Sequence, residues 1–300
     1  HQHHLHFMGT GGVFTKSLKK YGLQNLLTSK NLMLKTLIKK IKRGLWTFKQ
    51  PLSAKPTNLS DPVSDLFVWR HLGDWKTYFD LYDIGSFYSQ TGAKDKVNVK
   101  IIFYNPLGRK IKECEINLKH NQNKCIEISS FLVDEKHLFG TFAVFHSNIP
   151  GSFSKYNSYI TERGYTSYKY QNNQLRHYVH GNSDAVSISN NLSYLLGASS
   201  FLKREYRLQF NLTSAEKYEF LIVNYTTKKQ KVTFAFIDIT TNNKITVKDY
   251  SINPNGCCLC DSLIKYDGNF RLVISSALIM ARPIVFRYGQ KRSFFDVFHG

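Results

Sequence analysis

The tyrosine-rich stretch between residues 145 and 187 holds the side chains best suited to binding a ligand. Six of the 18 tyrosines of the chain lie between residues 156 and 178. The polar and charged residues interleaved with them are Glu162, Arg163, Arg176, His177, His180, Asn182 and Asp184. Tyrosine combines an apolar ring with a hydroxyl group, and arginine and asparagine supply directed hydrogen bonds. This composition indicates a site for a sugar or another flat, hydroxyl-rich ligand.

The pattern of this stretch predicts a β-hairpin, with strands near 159–170 and 175–180 joined by a turn at 171–174. Because side chains alternate along a strand, Arg176, Tyr178 and His180 should share one face. We expect that face and Glu162 of the first strand to meet in one hollow at the junction of two β units. The predicted ligand-binding residues are Arg163, Arg176, Tyr168, Tyr178 and Asn182.

Three residues of the region have side chains suited to acid–base catalysis: Glu162, His180 and His146. His146 is in phase with Phe142 and Val144 and should therefore point toward the buried face of its strand. Close to Glu162 or His180, its imidazole would act as an acid–base group. The sequence leaves two simpler alternatives open: a core histidine with a satisfied hydrogen bond, and a hairpin that only packs the two units together.

Other catalytic and metal-binding motifs are absent from the sequence. No nucleophile elbow, P-loop, dinucleotide fingerprint or zincin motif occurs. His177 and His180 should point to opposite faces of a regular strand, and Cys257-Cys258-x-Cys260 lacks the spacing of a structural zinc site. We therefore predict neither a metal nor a cofactor. Five cysteines cannot all pair within the chain, and we expect reduced thiols and a cytoplasmic location.

The first 56 residues form a basic leader, of which residues 1–7 resemble a tag. The whole chain carries a net charge of +20. Residues 1–60 contribute eleven Lys and Arg to it and contain no Asp or Glu. Apolar residues from Leu34 to Leu45 recur at helical spacing and predict an amphipathic helix with a basic face. The residues predicted to meet a membrane surface are Lys35, Lys39, Lys40, Lys42, Arg43 and Trp46.

An anionic membrane surface is the partner that this helix fits best, because cations meet headgroups while the apolar stripe enters the acyl boundary. A helix docked on its own domain and a disordered tail are the alternatives. The sequence argues against a nucleic-acid partner, since no RNP-like motif, zinc finger or heptad repeat accompanies the charge. No run of 18 apolar residues occurs, so no transmembrane helix is predicted.

The body of the chain predicts an all-β fold of two tandem antiparallel β-sandwich-like units behind the amphipathic helix. Short apolar runs separated by turn residues indicate a first unit at 57–150, the connecting hairpin at 151–190 and a second unit at 191–300. Internal similarity suggests a repeat. It aligns the strand that begins at Ile101 with the strand that begins at Phe220, and Gly140 with Gly268. In this alignment the hairpin at 232–252 is an extra element of the second unit.

Together these features predict a non-catalytic binding protein, peripherally attached to an anionic membrane. It would recognise a small polar or carbohydrate-like ligand, or a partner, at the junction of the two units. The first alternative is an enzyme of the hydrolase or lyase type with its site in the same junction, using Glu162 and either His180 or His146. A structural adaptor is the second alternative.

Overall fold

A computed structural model describes 62–71, 73–84, 97–147, 161–162, 164–171, 175–181, 186–189, 192–195, 197, 199–262, 266–279, 282–289 and 294–300. All of these residues belong to one compact unit, Phe48–Gly300. Its regular secondary structure consists almost wholly of β-strands in several antiparallel sheets, which confirms the all-β prediction. The predicted leader helix and its membrane-surface residues lie outside the described residues.

The structure contains 21 described strands and one short 3-10 helix at Ile128–Leu132. In chain order the strands are β1 (Val63–Ser64), β2 (Phe67–Arg70), β3 (Trp75–Tyr82), β4 (Val97–Tyr104), β5 (Lys110–Leu118), β6 (Asn123–Glu127), β7 (Phe139–His146), β8 (Thr161–Glu162), β9 (Tyr165–Tyr170), β10 (His177–His180), β11 (Val186–Ser189), β12 (Leu192–Leu195), β13 (Ser199–Arg207), β14 (Leu212–Thr213), β15 (Lys217–Val223), β16 (Gln230–Asp238), β17 (Lys244–Ile252), β18 (Cys257–Asp261), β19 (Asn269–Leu278), β20 (Ile284–Tyr288) and β21 (Phe295–His299).

These strands form five sheets. Sheet I has the order β2-β7-β4-β5, and sheet II has the order β10-β9-β3-β6. Sheet III runs β13-β19-β16-β17, with β14 also on β19, and sheet IV runs β21-β20-β15-β18. Sheet V, β12-β11-β1-β8, contains the parallel pair β1–β8. We refer to sheets I, II and V as the first half and to sheets III and IV as the second half.

Sheets I and II have the same strand order as sheets III and IV. The strand β3 of the first half corresponds to β15 of the second half. In the same way, the hairpin β4–β5 corresponds to β16–β17, and β7 corresponds to β19. The predicted match of Gly140 with Gly268 fits this order, because these residues belong to or precede β7 and β19. The predicted match of Ile101 with Phe220 is wrong, since Ile101 lies on β4 and Phe220 on β15. The hairpin at 232–252 is therefore the counterpart of β4–β5 rather than an extra element.

Each half has a core between two sheets, built from the alternating apolar residues of their strands. In the first half, Phe79 and Ile126 of sheet II pack with Phe103 and Phe142 of sheet I. In the second half, a corresponding cluster joins residues of sheets III and IV, namely Phe220, Phe234, Phe236, Cys260 and Phe270. Because alternate residues of these strands are buried, the period-2 pattern of the sequence leads directly to this face-to-face packing.

A third apolar cluster joins the two halves. Tyr168 and Val179 of sheet II pack here with Leu221, Phe286 and Val297 of sheet IV. The strands β9 and β10, which were predicted as a connecting hairpin, extend sheet II by pairing with β3. One face of these two strands therefore contributes to the packing between the halves.

A buried ion pair crosses the same boundary. The guanidinium of Arg70 on β2 lies 2.6 Å from Oε2 of Glu219 on β15, and the hydroxyl of Tyr288 donates to the same carboxylate oxygen at 2.7 Å. The guanidinium also lies over the rings of Trp75 and Phe286, at 3.9 and 4.6 Å from their centroids. Burial alone would raise the pKa of Glu219, but Arg70 and Tyr288 outweigh this effect and hold it below its usual value.

Two turns of similar sequence, Asn105–Gly108 and Asn253–Gly256, also meet between the halves. The amide of Cys257 donates to the carbonyl oxygen of Pro106 at 3.1 Å. Gly108 has a φ of +78°, and a Cβ atom built on it would lie 1.8 Å from the carbonyl oxygen of Pro254. The turn therefore requires glycine for its backbone conformation and for the close approach of the second turn.

Two further predictions concern cysteines and membrane spans. All five cysteines have free thiols in the structure. Within the part of the chain that the structure describes, no helix has the length and apolar character needed to cross a membrane.

Candidate functional site

The outer face of sheet II carries exposed aromatic and basic side chains. On β9, Ser167 lies directly opposite Tyr178 of β10 on one side and Tyr78 of β3 on the other. Directly opposed residues of antiparallel strands point to the same side, so these three side chains form one row across the sheet. Tyr165 follows in the next row of the same face. We call Tyr78, Tyr165, Ser167, Arg176 and Tyr178 the tyrosine face.

Arg176 connects the two tyrosines of the central row. Its guanidinium carbon lies 4.9 Å from the ring centroid of Tyr78 and 5.9 Å from that of Tyr178, within the range of cation–π attraction. Its Nη1 also donates to the Sγ of Cys125 at 2.8 Å. Since the guanidinium is close to both rings, it lies over Ser167 between them. These contacts, together with the charge of the nearby Asp80, hold the arginine in place.

The tyrosine face combines exposed rings with a buried polar group. Tyr178 is 47% exposed and Tyr165 is 54% exposed. Ser167 between Tyr78 and Tyr178 is fully buried, and its hydroxyl has no hydrogen-bond partner in the described structure. Buried hydroxyl groups normally have a partner, so this one is a candidate contact for an ordered water.

The opposite face of β9 and β10 is buried, which corrects the prediction for Tyr168. This residue is fully buried, and its hydroxyl donates to the carbonyl oxygen of Val68 at 2.9 Å. Burial raises the pKa of its phenol. Because Tyr168 lies opposite His177 rather than Tyr178, it points away from the tyrosine face and is not accessible to a ligand there.

The structure brings together two of the three predicted acid–base residues. His146 Nε2 lies 2.5 Å from Oε2 of Glu162, and the amide of Gly164 donates to the other carboxylate oxygen at 2.6 Å. The relative exposures are 2% for His146 and 3% for Glu162. Glu162 lies on β8 of sheet V, so the predicted continuous strand from 159 to 170 is wrong: β9 begins only at Tyr165.

His180 lies apart from this pair, beside a small pocket between the halves. Its ring is 4.7 Å from that of His299, whose Nε2 donates to the His180 carbonyl oxygen at 2.7 Å. Burial lowers the pKa of His299 to about 4, so this imidazole is neutral at physiological pH. The pocket is lined by both histidines, Thr166, Tyr168 and Arg282, and its cavity volume of about 20 Å³ is enough for one water but not for a sugar.

The predicted hollow containing Glu162, Arg176 and His180 is therefore not formed. Glu162 is buried with His146, Arg176 lies on the tyrosine face, and His180 is beside His299. Arg163 and Asn182 lie outside the described residues.

Sequence reasoning missed Tyr78 and the two lysines nearest to it on the face, Lys76 and Lys169. The alternation in β3 could have revealed Tyr78, because Phe79 and Leu81 are its apolar neighbours on the opposite side.

The described residues contain no cluster of three or more His, Cys, Asp or Glu side chains arranged to hold a metal ion. Comparison of the chain with protein-family models, with curated proteins and with solved structures finds no match in any of the three.

Proposed function

We propose that the chain is a non-catalytic binding protein that recognises a carbohydrate-like, hydroxyl-rich ligand on the tyrosine face. The observation that carries this proposal is the solvent-facing row of Tyr78 and Tyr178 with Arg176 held between them. The exposed ring of Tyr178 suits the apolar face of a sugar, and the fixed guanidinium supplies several hydrogen-bond donors. The proposed ligand site therefore lies on the outer face of sheet II and not at the predicted junction of the two units.

The burial of His146 and Glu162 supports a binding role over an acid–base enzyme. A general acid or base must come within hydrogen-bonding distance of its substrate. Both side chains are covered, and they already bond to each other and to the backbone. A role in holding β8 against β7 accounts for these contacts without a reaction.

Tyr178→Ala is expected to reduce ligand binding about 5- to 150-fold, because the variant removes a stacking surface worth about 1–3 kcal/mol per ring in comparable aromatic contacts. Binding would be measured on a glycan microarray and then by calorimetry with the glycan that gives the strongest signal. Tyr194→Ala is the matched control, since Tyr194 on β12 is 46% exposed but lies in sheet V. Arg176→Ala should also weaken binding.

Two results would contradict the binding proposal. The first is a wild-type chain that binds no glycan on the array. The second is an equal loss of binding in Tyr178→Ala and Tyr194→Ala. A glycan-converting activity that disappears in Glu162→Gln, with an unchanged unfolding midpoint, would favour the enzyme instead.

The proposal also includes attachment to an anionic membrane surface through the leader. Its support is the charge pattern of residues 1–56, which hold eleven Lys and Arg and no acidic residue. Each basic residue near an anionic bilayer contributes about 1 kcal/mol to binding. The tandem sandwich-like architecture of the body, supported by the shared strand order of the two halves, would then present the tyrosine face to the surrounding solution.

Replacing Lys35, Lys39, Lys40 and Lys42 with alanine in the full chain is expected to weaken sedimentation with phosphatidylserine-containing vesicles at least tenfold. The control removes the same number of charges from exposed positions of the second half: Lys203, Lys228, Lys229 and Lys231. An equal effect of both sets would show that overall charge, rather than the leader, determines vesicle binding.

A further inference from the structure

Two lysines face each other directly on the sheet that carries the tyrosine face. Lys76 of β3 is the cross-strand partner of Lys169 of β9, in the row next to Tyr78 and Ser167. Lys76 and Tyr78 are two residues apart on one strand, and so are Lys169 and Ser167 on the other. All four side chains therefore point to the same side. Like charges directly opposite each other destabilise a sheet, so this arrangement is unfavourable without a nearby anion.

The described carboxylates neutralise only part of the positive charge of Lys76 and Lys169. Glu127 lies 3.3 Å from the ammonium group of Lys76. Within the described structure, Lys169 has no carboxylate at ion-pair distance, whereas the charge of Asp80 acts on Arg176. The register of β9 and β10 brings the chain at Arg176 toward Lys169, because His177 lies opposite Tyr168. The guanidinium of Arg176, however, extends over Tyr78 to Cys125 on the far side, so among the described residues Lys169 alone leaves an unpaired positive charge beside the aromatic row.

We propose that the ligand of the tyrosine face is an acidic glycan, with its carboxylate or sulfate group on Lys169 and a neighbouring sugar ring on Tyr178. This inference rests on the proposed function and adds the charge of the ligand. Successive residues on one face of a strand are about 7 Å apart, so one ligand can contact both rows. The anion would supply the counter-charge that Lys169 lacks within the described structure.

A single-stranded nucleic acid fits this surface less well. Its bases need free aromatic faces for stacking, whereas Arg176 already lies against the ring of Tyr78. The rim of a sugar can instead accept hydrogen bonds from the guanidinium while its apolar face contacts the exposed ring of Tyr178.

The test compares each acidic glycan on an array with its carboxyl-reduced or desulfated counterpart, using the full chain. Wild type should favour the acidic members about tenfold, the size of a charge-assisted hydrogen bond. Lys169→Gln should remove most of this preference without weakening the neutral counterparts, and Lys169→Arg should retain it. Lys229→Gln is the control, because it removes an exposed lysine of the second half and should leave the preference unchanged.

The possible failures are distinguishable. Equal binding of acidic and neutral counterparts, both lost in Tyr178→Ala, would overturn the charge inference and leave the proposed function standing. An acidic preference that Lys169→Gln and Lys229→Gln reduce equally would also overturn it, because the attraction would then come from overall charge. Oligothymidylate binding stronger than that of every glycan, and lost in Lys169→Gln, would replace the glycan with a nucleic acid.

Discussion

Glu219→Leu is expected to lower the free energy of unfolding by about 3–5 kcal/mol, as measured by denaturant titration. The substitution leaves the guanidinium of Arg70 buried between aromatic rings without its counter-ion. The side chains of the pair are only 7% and 10% exposed, so water cannot replace the lost carboxylate. This is the largest single-residue effect that we expect from an electrostatic contact in this chain.

Substitutions of the two partners, Arg70 and Glu219, should lower the free energy of unfolding by different amounts. Arg70→Met should cost less than Glu219→Leu, because the carboxylate would keep the hydroxyl of Tyr288 and the ammonium group of Lys217, which lies 3.3 Å away. The double variant should be more stable than Glu219→Leu alone, since an apolar pair no longer contains a buried charge. A double variant as unstable as the sum of both single variants would contradict this account.

The contribution of Glu219 should depend on pH in one direction. Its pKa is lower in the folded chain than the ordinary value of 4.5. A carboxyl group with a depressed pKa stabilises the fold above its unfolded pKa, and this stabilisation is lost as the pH falls through the folded value. The difference in stability between wild type and Glu219→Leu should therefore shrink on acidification below pH 4.5.

Gly108→Ala is expected to destabilise the chain by about 3–5 kcal/mol. About 1–2 kcal/mol comes from the positive φ, and the remainder from the clash with the turn at Asn253–Gly256. The control is Gly73→Ala, because Gly73 has a similar φ of +61° but no atom within 4 Å of the point that an added Cβ would occupy. Equal unfolding midpoints for the two variants would show that the contact between the turns contributes nothing.

The all-β fold could be predicted because its main determinant is local. Strands such as β16 alternate buried and exposed residues, and this period is visible in the sequence. The arrangement of the site depends instead on the register of the strands, that is, on which residues lie opposite each other. The local sequence of a strand does not specify this register. Alternation correctly grouped Tyr178 with His180 on one face of β10. It could not show that Tyr178 lies opposite Ser167, and a shift of one residue moves every side chain to the other face.

The repeat was misaligned for a related reason. Ile101 and Phe220 both begin short apolar runs that end in asparagine, and this similarity concealed their different places in the sheets. The buried contact of Arg70 with Glu219 joins residues 149 positions apart. Such pairs follow from the tertiary fold and leave no pattern in a single sequence.

A single layer of backbone, β9 and β10, separates the solvent on one side from Tyr168 and the second half on the other. Occupancy of the outer surface would therefore restrain the same strands whose inner side chains hold the two halves together. Through this shared layer, a bound molecule would protect amide hydrogens from exchange at positions that it never touches.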